Sequence, residues 1–586
     1  MCGIFCSISR HEHVVPSDTL KQLLQSRGPD ASNQLNIQCI PESTTEPAYL
    51  TCYSTVLSLR GSNPVSQPYQ QRGSNSFLCW NGEAWGIAGE KPTGNDTAAV
   101  FDALQNAVSI PVPPMDAREE GSLVTQTLSQ ALSQVAGPYA LVFYDELRSR
   151  VYFGRDSLGR RSLLWRVSTN GDLIFSSITD GTPGQGWTEV DADAIYSIDL
   201  SARSYARDRA GDDVEQRGAF FVSRAPYSCV GDRDVNDHSV IPKLLLNRQI
   251  PRSPARLDED SPSVSDLGKL LRNSLSARVL DIPEPPALDK DISWCRRAKV
   301  AILFSGGLDC TVLARLSHDL LPTEEPIDLL NVAFENPRIH KSAEEDACEL
   351  CPDRITGRVS YAALCSACPG REWRFVAIDV PYSEARAHRQ QIIRLMHPHN
   401  TEMDLSIAYA LYFAARGVGC LYNEMASAVL SYTTAARVLL SGLGADELFA
   451  GYTRHSTAFT RHGHEGLLNE LDLDIGRLGK RNLGRDDRVI SHWGREVRFP
   501  FLDEHLVRWA LEAPVTDKCD FDATKSNIPL DENSCASIEP GKKALRCLAW
   551  RLGMKEVAKE KKRAIQFGAR TAKMETGKTK GTTLLS

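Results

Sequence analysis

The sequence predicts an α/β protein with two domains. A chain of 586 residues is longer than one hydrophobic core usually supports. Residues 2–200 contain many short apolar runs between turns, which is typical of a strand-rich layered domain. From residue 299 onward strands alternate with helices, which predicts a parallel sheet covered by helices. We therefore expect domains at 2–200 and 265–570, a linker at 201–264 and a disordered tail at 571–586.

Composition excludes some classes of function. The net charge of -7 is weak for this length, so it gives no reason to expect nucleic acid or a membrane surface as a partner. The longest apolar run, residues 405–415, is shorter than the roughly 18 residues of a transmembrane helix. The N-terminus lacks a basic segment followed by an apolar one, so no secretory signal is expected. Sixteen scattered cysteines then indicate reduced thiols in a cytoplasmic protein.

The individual elements follow from local patterns. In the first domain we expect helices near residues 18–25 and 97–105, and a surface loop at the Pro-rich, acidic residues 110–121. A helix is expected to begin near Ser265, and residues 405–417 predict a buried helix because they are apolar almost all round. The second domain's predicted strands are residues 299–304, 328–334, 375–380 and 438–441.

The N-terminus, Met1-Cys2-Gly3-Ile4, is the most informative stretch. If Met1 is removed, Cys2 carries both a thiol and an α-amine. An α-amine has a pKa of about 8, so it can serve as general base for the adjacent thiol. The alternative is that Cys2 only begins a buried strand.

Groups that would serve such a thiol follow later. Asn81 and Gly82 offer a side-chain amide and a backbone N–H at adjacent positions, as an oxyanion requires. The alternative is a plain Asn-Gly turn. Asp96 precedes a helical run, where it could bind a substrate ammonium, cap that helix, or do both.

A glycine-rich loop follows the predicted strand at residues 300–304. In Ser305-Gly306-Gly307-Leu308-Asp309 the glycines let the backbone approach a phosphate closely. The loop lacks the Gly-Lys-Ser/Thr of a Walker A motif, and its form suits enzymes that split ATP between the α and β phosphates. Asp309 is a candidate Mg²⁺ ligand. An ordinary βα turn is the alternative.

A second strand runs into glycines and acids at residues 438–447. Asp446 would lie at the carboxyl end of a strand, where open α/β sheets bind ligands. Together with Asp309 it could hold Mg²⁺ on pyrophosphate. Lys542 and Lys543 could neutralise the leaving group, although lysines are usually only solvated.

Two cysteine pairs form a different candidate site. Cys348 and Cys351 are separated from Cys365 and Cys368 by thirteen residues. Zinc ribbons use such pairs, usually with a longer interval. Because the intervening chain lacks a hairpin pattern, unpaired thiols are the favoured interpretation.

These motifs, in this order, resemble glutamine-dependent asparagine synthetases and, more closely, the asparagine synthetase domain-containing protein 1 family. The resemblance covers nearly the whole chain except the linker and tail. Matching stretches shared with asparagine synthetases are residues 27–30, 154–159 and 498–503, and those typical of the closer family are residues 352–357, 481–488 and 564–568.

The resemblance implies a fold and a two-site reaction. The first domain would be an N-terminal nucleophile-type αββα sandwich glutaminase, and the second a parallel-sheet α/β synthetase domain of the adenine-nucleotide α-hydrolase-like type. Glutamine would be hydrolysed at Cys2. ATP with Mg²⁺ would activate an aspartate-like carboxylate as an acyl-adenylate, releasing pyrophosphate, and ammonia arriving through an internal channel would displace AMP. The resemblance leaves a homodimer open.

The resemblance also assigns residues. It implies Cys2, Asn81 and Gly82 as catalytic, and Arg27, Glu83 and Asp96 as glutamine-binding. It implies Asp309 and Asp446 as Mg²⁺ ligands. The implied ATP and pyrophosphate site consists of Leu303, Ser305, Gly306, Gly307, Asp309, Val332, Ser441, Gly442 and Lys542.

Two positions depart from the asparagine synthetase pattern. Leu443 replaces a glutamate and cannot accept a proton; Glu447 lies four residues further along. Val56 replaces the arginine that grips the glutamine carboxylate, and Arg60 lies roughly 13 Å further along an extended strand. Two alternatives therefore stay open: a nucleotide-binding scaffold with little turnover, and an amidotransferase or cyclase for another carboxylate.

Overall fold

A computed structural model describes most of the chain and divides it into two compact units. The first unit comprises Met1–Lys243, Ile393–His399 and Leu478–Gly494, and the second comprises Leu244–Ile392, Asn400–Arg477 and Arg495–Ser586. The described residues are 2–41, 46–61, 63–113, 117–181, 186–201, 214–227, 239–241, 244–251, 256–286, 296–339, 346–423, 428–522, 535–574 and 580–585.

The strands and helices are numbered in chain order. The strands are β1 (Gly3–Ser9), β2 (Ala31–Cys39), β3 (Ala48–Val56), β4 (Phe77–Gly82), β5 (Gly86–Ile87), β6 (Val135–Ala136), β7 (Tyr139–Asp145), β8 (Arg150–Arg155), β9 (Leu164–Val167), β10 (Leu173–Ser176), β11 (Thr188–Glu189), β12 (Ala194–Asp199), β13 (Val214–Arg217), β14 (Phe220–Pro226), β15 (Val300–Leu303), β16 (Ile327–Phe334), β17 (Trp373–Val380), β18 (Val418–Asn423), β19 (Ala428–Thr433), β20 (Val438–Leu440) and β21 (Glu496–Arg498). The α-helices are α1 (Asp18–Arg27), α2 (Asp96–Val108), α3 (Ala117–Ser133), α4 (Pro262–Val279), α5 (Leu308–Leu320), α6 (Pro352–Ala367), α7 (Tyr382–Met396), α8 (Glu402–Arg416), α9 (Ala445–Leu448), α10 (Thr453–Ile475), α11 (Leu478–Arg481), α12 (Leu483–Ser491), α13 (Glu504–Glu512), α14 (Lys543–Arg551), α15 (Lys555–Lys559) and α16 (Ile565–Gly568).

The first unit contains two antiparallel six-stranded sheets. Their strand orders are β11-β9-β10-β1-β3-β2 and β13-β14-β12-β8-β7-β4. Alternate residues of β1, Ile4, Cys6 and Ile8, enter one buried cluster together with Phe77 and Phe153 of the other sheet. This alternation is the period of two that a strand imposes on its side chains. A second buried cluster packs α2 and α3 against the sheet that contains β4, β7 and β8.

The second unit contains a seven-stranded sheet in the order β19-β18-β17-β16-β15-β20-β21. Strands β17, β16, β15, β20 and β21 are parallel to one another. Strand β18 pairs antiparallel with β17, and β19 pairs antiparallel with β18. Strand order reverses direction between β15 and β20, and such a switch point is where open α/β sheets bind ligands. The loops after β15 and β20 therefore lie side by side.

A mixed α/β protein is confirmed, and several local predictions differ from the structure. The predicted linker contributes β13 and β14, and two alternate residues of β14, Phe220 and Val222, enter the core. Helix α3 begins inside the predicted loop at 110–121. Described residues of the predicted disordered tail form hydrogen bonds, since Glu402 and Leu585 donate backbone N–H groups to Thr583 and Asn400.

Nothing in the described ranges is a helix both long and apolar enough to cross a membrane.

Candidate active sites

The first site surrounds Cys2, which lies immediately before β1. The side chain is buried, and its backbone nitrogen donates to Asn81 Oδ1 at 3.0 Å. The Gln67 amide Nε2 lies 3.9 Å from the Cys2 sulfur. Met1, whose removal would free the α-amine, is not among the described residues, so that processing step stays a prediction.

Asn81 presents an unused donor beside the thiol. Asn81 and Gly82 lie within β4 and pair with β7, so the Asn-Gly turn alternative is wrong. While Asn81 Oδ1 accepts from Cys2, the Asn81 Nδ2 group is buried without a hydrogen-bond partner in the structure. A buried unpaired donor is costly, and an oxyanion formed at Cys2 would satisfy it.

Gly82 has the close backbone approach that its predicted role requires. A Cβ at this position would lie 2.7 Å from the Pro138 carbonyl oxygen and 2.8 Å from Tyr139 Cβ. Any larger residue would therefore push β4 away from β7 and displace Asn81. The glycine keeps the Asn81 amide in register with Cys2.

Asp96 and Glu83 form an acidic pair near this thiol. Asp96 Oδ2 accepts from Ala84 N at 2.6 Å and from Trp80 Nε1 at 3.2 Å. Burial raises the pKa of Asp96, and these bonds and the Arg60 charge only partly oppose that. The Asn95 side chain caps α2, so Asp96 does not serve as the cap.

Arg60 reaches this acidic pair although strand spacing predicts that it is remote. Its Nε lies 3.3 Å from Glu83 Oε2, and its Nη1 donates to the Ala84 carbonyl at 2.8 Å. The chain leaves β3 at Val56, so residue 60 is not on an extended strand. Val56 itself is buried at the end of β3 and offers no charge to a carboxylate.

Arg27 contacts the nucleophile's backbone. It is the last residue of α1 and is fully buried. Its Nε donates to the Cys2 carbonyl at 3.4 Å, and its Nη2 donates to Asp487 at 2.8 Å. Its predicted contact with glutamine stays a prediction.

The second site begins with the loop between β15 and α5. Gly306 has φ +79, and a Cβ there would lie 2.4 Å from Gly357 N, so only glycine fits. Gly307 precedes the 13-residue helix α5, whose N-terminal N–H groups are directed toward this loop. Ser305 Oγ accepts from Gly307 N at 3.3 Å. Leu303 ends β15, and Val332 lies on the adjacent strand β16.

The loop after β20 packs directly against this one. A Cβ on Gly442 would lie 2.8 Å from the Asp309 Cβ, which is closer than side-chain carbons approach. Ser441 Oγ accepts from Leu443 N at 3.3 Å. The loop that contains Gly442 is therefore in direct contact with the first turn of α5, which contains Asp309.

Two lysines bind these acids. Lys542 Nζ lies 2.8 and 2.7 Å from the two Asp309 oxygens and 2.7 Å from Asp446 Oδ1. Lys562 Nζ lies 2.5 Å from Asp446 Oδ2. Against the effect of burial, Lys542 and Lys562 hold the pKa of Asp446 below its usual range. Burial lowers the pKa of Lys562, but the Asp446 and Asp309 carboxylates outweigh this effect and raise that pKa above its usual range.

The donor set fits a magnesium ion. An ammonium already sits between the Asp309 and Asp446 carboxylates, so their oxygens converge on one cation. Mg²⁺ prefers oxygen and is commonly held by one or two carboxylates plus substrate phosphates. Across the described parts of the chain, no group of three or more His, Cys, Asp or Glu is arranged to hold a metal.

Two neighbouring charged residues, Lys543 and Glu447, already have hydrogen-bond partners. Lys543 Nζ donates to the Cys535 and Ile538 carbonyls, at 2.7 and 3.1 Å, so it supports the local backbone. Glu447 is buried and accepts from Tyr452 Oη at 2.6 Å. Burial and the Asp446 charge raise the pKa of Glu447.

The cysteine pairs do not meet. Cys351 precedes the first turn of α6, whereas Cys365 and Cys368 lie at its other end. A helix of 16 residues is about 24 Å long, so one ion cannot bind both pairs. Burial raises the pKa of the Cys351 thiol to about 11, as expected for an inert thiol.

Sequence comparisons identify the family. The sequence model described as Asparagine synthase matches residues 421–469 and 460–581. The mouse (Mus musculus) protein named Asparagine synthetase domain-containing protein 1 is 33% identical, with 98% of this chain and 97% of the relative covered. The chain belongs to the asparagine synthetase domain-containing protein 1 family.

Another relative of this family agrees. The human (Homo sapiens) protein of the same name is 32% identical, covering 98% of this chain and 96% of the relative. A solved structure, glutamine phosphoribosylpyrophosphate (PRPP) amidotransferase from B. subtilis complexed with ADP and GMP, is 15% identical with a TM-score of 0.23, covering 59% of this chain and 69% of that chain. Such a low TM-score supports no conclusion about fold.

Three residues of this family member were missed by sequence reasoning. Gln67 gives no signal, because its contact with Cys2 depends on tertiary folding. Asp487 lies in the charged stretch 481–488, and this run of charges is a usable signal. Lys562 lies in a run of basic residues, so no local sequence feature distinguishes it from its neighbours.

Proposed function

We propose that this chain is a glutamine-hydrolysing, ATP-dependent amidotransferase of the asparagine synthetase type. One observation carries the proposal: the buried, unpartnered Asn81 amide beside Cys2. The family membership supports it. In this proposal the first unit is an N-terminal nucleophile-type glutaminase, and the second is an adenine-nucleotide α-hydrolase-like synthetase.

At the first site, Cys2 would attack the glutamine side-chain amide. Its own α-amine, once Met1 is removed, would take the thiol proton. The Asn81 Nδ2 group and the Gly82 N–H would stabilise the oxyanion. As this intermediate collapses, the C–N bond would break and the protonated α-amine would return its proton to the departing ammonia; water would then hydrolyse the Cys2 thioester to glutamate and free the thiol. Glu83 and Asp96 would bind the substrate ammonium, and Arg60, which already contacts Glu83, would exchange that contact for the substrate carboxylate.

At the second site, the substrate carboxylate would attack the α-phosphorus of ATP and pyrophosphate would leave. The N–H groups around Ser305, Gly306 and Gly307 would hold the phosphates, with Leu303, Val332, Ser441 and Gly442 lining the site. Mg²⁺, held by Asp309 and Asp446, would neutralise phosphate charge. Lys542 would move from the acids to the pyrophosphate. Ammonia would then displace AMP and form the amide.

A scaffold with little turnover is the second candidate. It is favoured by Leu443, which provides no base, and by Glu447, whose carboxylate is already bound by Tyr452. An enzyme acting on another carboxylate is the third candidate, because Leu443 removes the glutamate that asparagine synthetases have at this position.

Pyrophosphate release separates these candidates. Full-length protein with a verified Cys2 N-terminus is incubated with Mg²⁺ and ATP, with aspartate or other carboxylates, and with glutamine or ammonium. The proposal expects pyrophosphate, AMP and asparagine. Pyrophosphate with only a different acid supports the third candidate. No pyrophosphate with any acid, together with a higher melting temperature in ATP, supports the scaffold.

A further inference from the structure

A distant helix lies inside the first unit. Helix α12 (Leu483–Ser491) is buried at every residue, including two aspartates and two arginines. It belongs to the first unit although it lies between strands β20 and β21 of the second unit in the chain. Charged residues are rarely buried unless they are paired, so the partners of this helix show what it does.

Those partners lead from α12 to the nucleophile. Asp487 Oδ2 accepts from Arg27 Nη2 at 2.8 Å, and Ser491 Oγ accepts from Arg27 Nη1 at 2.5 Å. The remaining guanidinium nitrogen, Nε, donates to the Cys2 carbonyl at 3.4 Å. Arg27, Asp487 and Ser491 have no solvent exposure. The guanidinium is planar, so fixing two of its nitrogens also fixes the third.

Cys2 is held from both sides. Asn81 binds its nitrogen, and Arg27 binds its carbonyl. A first residue has no preceding peptide to anchor it, and chain ends fray unless they are tied down. These two contacts therefore set the direction of the Cys2 thiol relative to the Asn81 amide.

Asp487 also joins the first unit's own loop to this network. Its Oδ2 accepts from the Ser162 backbone N–H at 3.2 Å, and its Oδ1 lies 3.8 Å from Arg161 Nη1. The neighbouring Arg488 donates to Ser162 Oγ at 2.8 Å and pairs with Glu189. Asp487 Oδ2 is thus held by two hydrogen bonds from different segments, and Oδ1 faces the Arg161 charge.

We propose that Asp487 is a positioning residue for Cys2 and that α12 is part of the glutaminase centre. Asp487 acts through Arg27 and does not touch the substrate. The inference rests on the proposed glutaminase function, and it specifies that residues 2–200 alone lack a correctly placed nucleophile. A purely structural ion pair is the competing explanation.

The test compares Asp487→Asn with Asp145→Asn in the full chain. Asp145 is also fully buried in the first unit and pairs with Arg148 at 3.7 Å, but no contact links it to Cys2. Alkylation of Cys2 by iodoacetamide is followed by peptide mass spectrometry across pH 6 to 9. We expect Asp487→Asn to slow Cys2 alkylation at pH 7 at least fivefold, and Asp145→Asn to change it less than twofold.

Kinetics provide a second readout. Asp487→Asn should lower kcat for glutamine hydrolysis at least tenfold with KM within twofold, while ammonia-dependent pyrophosphate release is unchanged. Equal alkylation of Cys2 in Asp487→Asn and wild type would overturn the proposal, as would equal slowing in both variants.

Two further arms keep the result decisive. If Asp487→Asn does not fold, Ser491→Ala removes one Arg27 contact and should slow alkylation about twofold to threefold; an unchanged rate there counts against Asp487. If the wild type hydrolyses no glutamine, the proposed function fails, whereas the alkylation comparison still tests the positioning role because it needs no turnover.

Discussion

The two candidate centres differ in how their charges are arranged. Around Cys2 the acids Asp96 and Glu83 have N–H or cationic partners, and the neutral donor Asn81 Nδ2 has no hydrogen-bond partner among the described residues. Around Asp309 and Asp446 two acids and two lysines converge on one point. The first arrangement is ready for an oxyanion without rearrangement, whereas the second must exchange a lysine when a nucleotide binds.

The two positions that depart from the asparagine synthetase pattern, Val56 and Leu443, differ in whether a nearby residue can supply the missing charge. Near the thiol, Val56 offers no charge, and we propose that Arg60, which contacts Glu83, supplies it. Near the phosphates, Leu443 has no such replacement, since Glu447 is bound by Tyr452. We therefore expect glutamine hydrolysis and carboxylate activation to be separable by mutation.

The largest expected effect is that of Cys2→Ala. Removing the nucleophile should lower glutamine-dependent pyrophosphate release by roughly 10³-fold or more, while ammonium-dependent release stays within twofold. The control is Cys365→Ala, which removes an exposed thiol outside both centres. Equal loss with both nitrogen donors would contradict the separation of the two centres.

Asp446→Asn should affect the other centre. Loss of this carboxylate removes a Mg²⁺ ligand and leaves Lys542 and Lys562 facing each other, so pyrophosphate release should fall roughly 100- to 1000-fold with either nitrogen donor. Chelation of Mg²⁺ by EDTA should abolish release in the wild type. Glutamine hydrolysis measured without ATP should persist, and its disappearance would show that the centres are not independent.

Asn81→Ala tests the unpartnered donor. We expect kcat for glutamine hydrolysis to fall about 100-fold with a small change in KM, because the lost bond forms mainly with the oxyanion. Asn95→Ala, which removes the cap of α2, is the control that should reduce thermal stability more than kcat. An unchanged kcat in Asn81→Ala would leave the oxyanion site elsewhere.

Glu189→Gln tests whether paired charges stabilise the first unit. Burial raises the pKa of Glu189, but the charges of Arg488 and Arg155 outweigh this effect and lower that pKa to about 2. A carboxyl whose folded pKa is depressed stabilises the fold above its unfolded pKa, and that stability is lost as pH falls.

The shift from 4.5 to about 2 corresponds to about 3 kcal/mol. In urea unfolding, Glu189→Gln should be less stable than wild type by about that amount at pH 7, and the difference should vanish between pH 4.5 and 2. A difference independent of pH would mean that packing, not charge, supports this position.

Arg60→Ala has the smallest expected effect on activity. Loss of a charge-assisted contact should raise KM for glutamine about tenfold with kcat little changed. Arg60→Lys should be intermediate, and adding Val56→Arg to Arg60→Ala should restore binding. A lower KM in Arg60→Ala would instead mean that Arg60 competes with the substrate ammonium for Glu83.

Local patterns predict much of the fold. The apolar runs of β1 and β15 and the apolar helix α8 are each visible within a short stretch of sequence. The glycines and acids at 305–309 and 441–446 likewise follow directly from strand ends. Local patterns miss three elements: β13, β14 and the start of α3. These lie among polar and Pro-rich residues, and their apolar periodicity is too short to recognise.

The sequence alone determined the candidate nucleophile Cys2, the glycine-rich loop at residues 305–309 and the candidate acids Asp309 and Asp446, because each is recognised from residue types a few positions apart. Only the tertiary structure decided that Asn81 leaves its amide free beside Cys2, that Arg60 reaches Glu83, and that α12 enters the first unit. These relations join residues up to several hundred positions apart, and they depend on the order in which strands pair and on where the chain turns after each one. Periodicity within a segment carries no information about either.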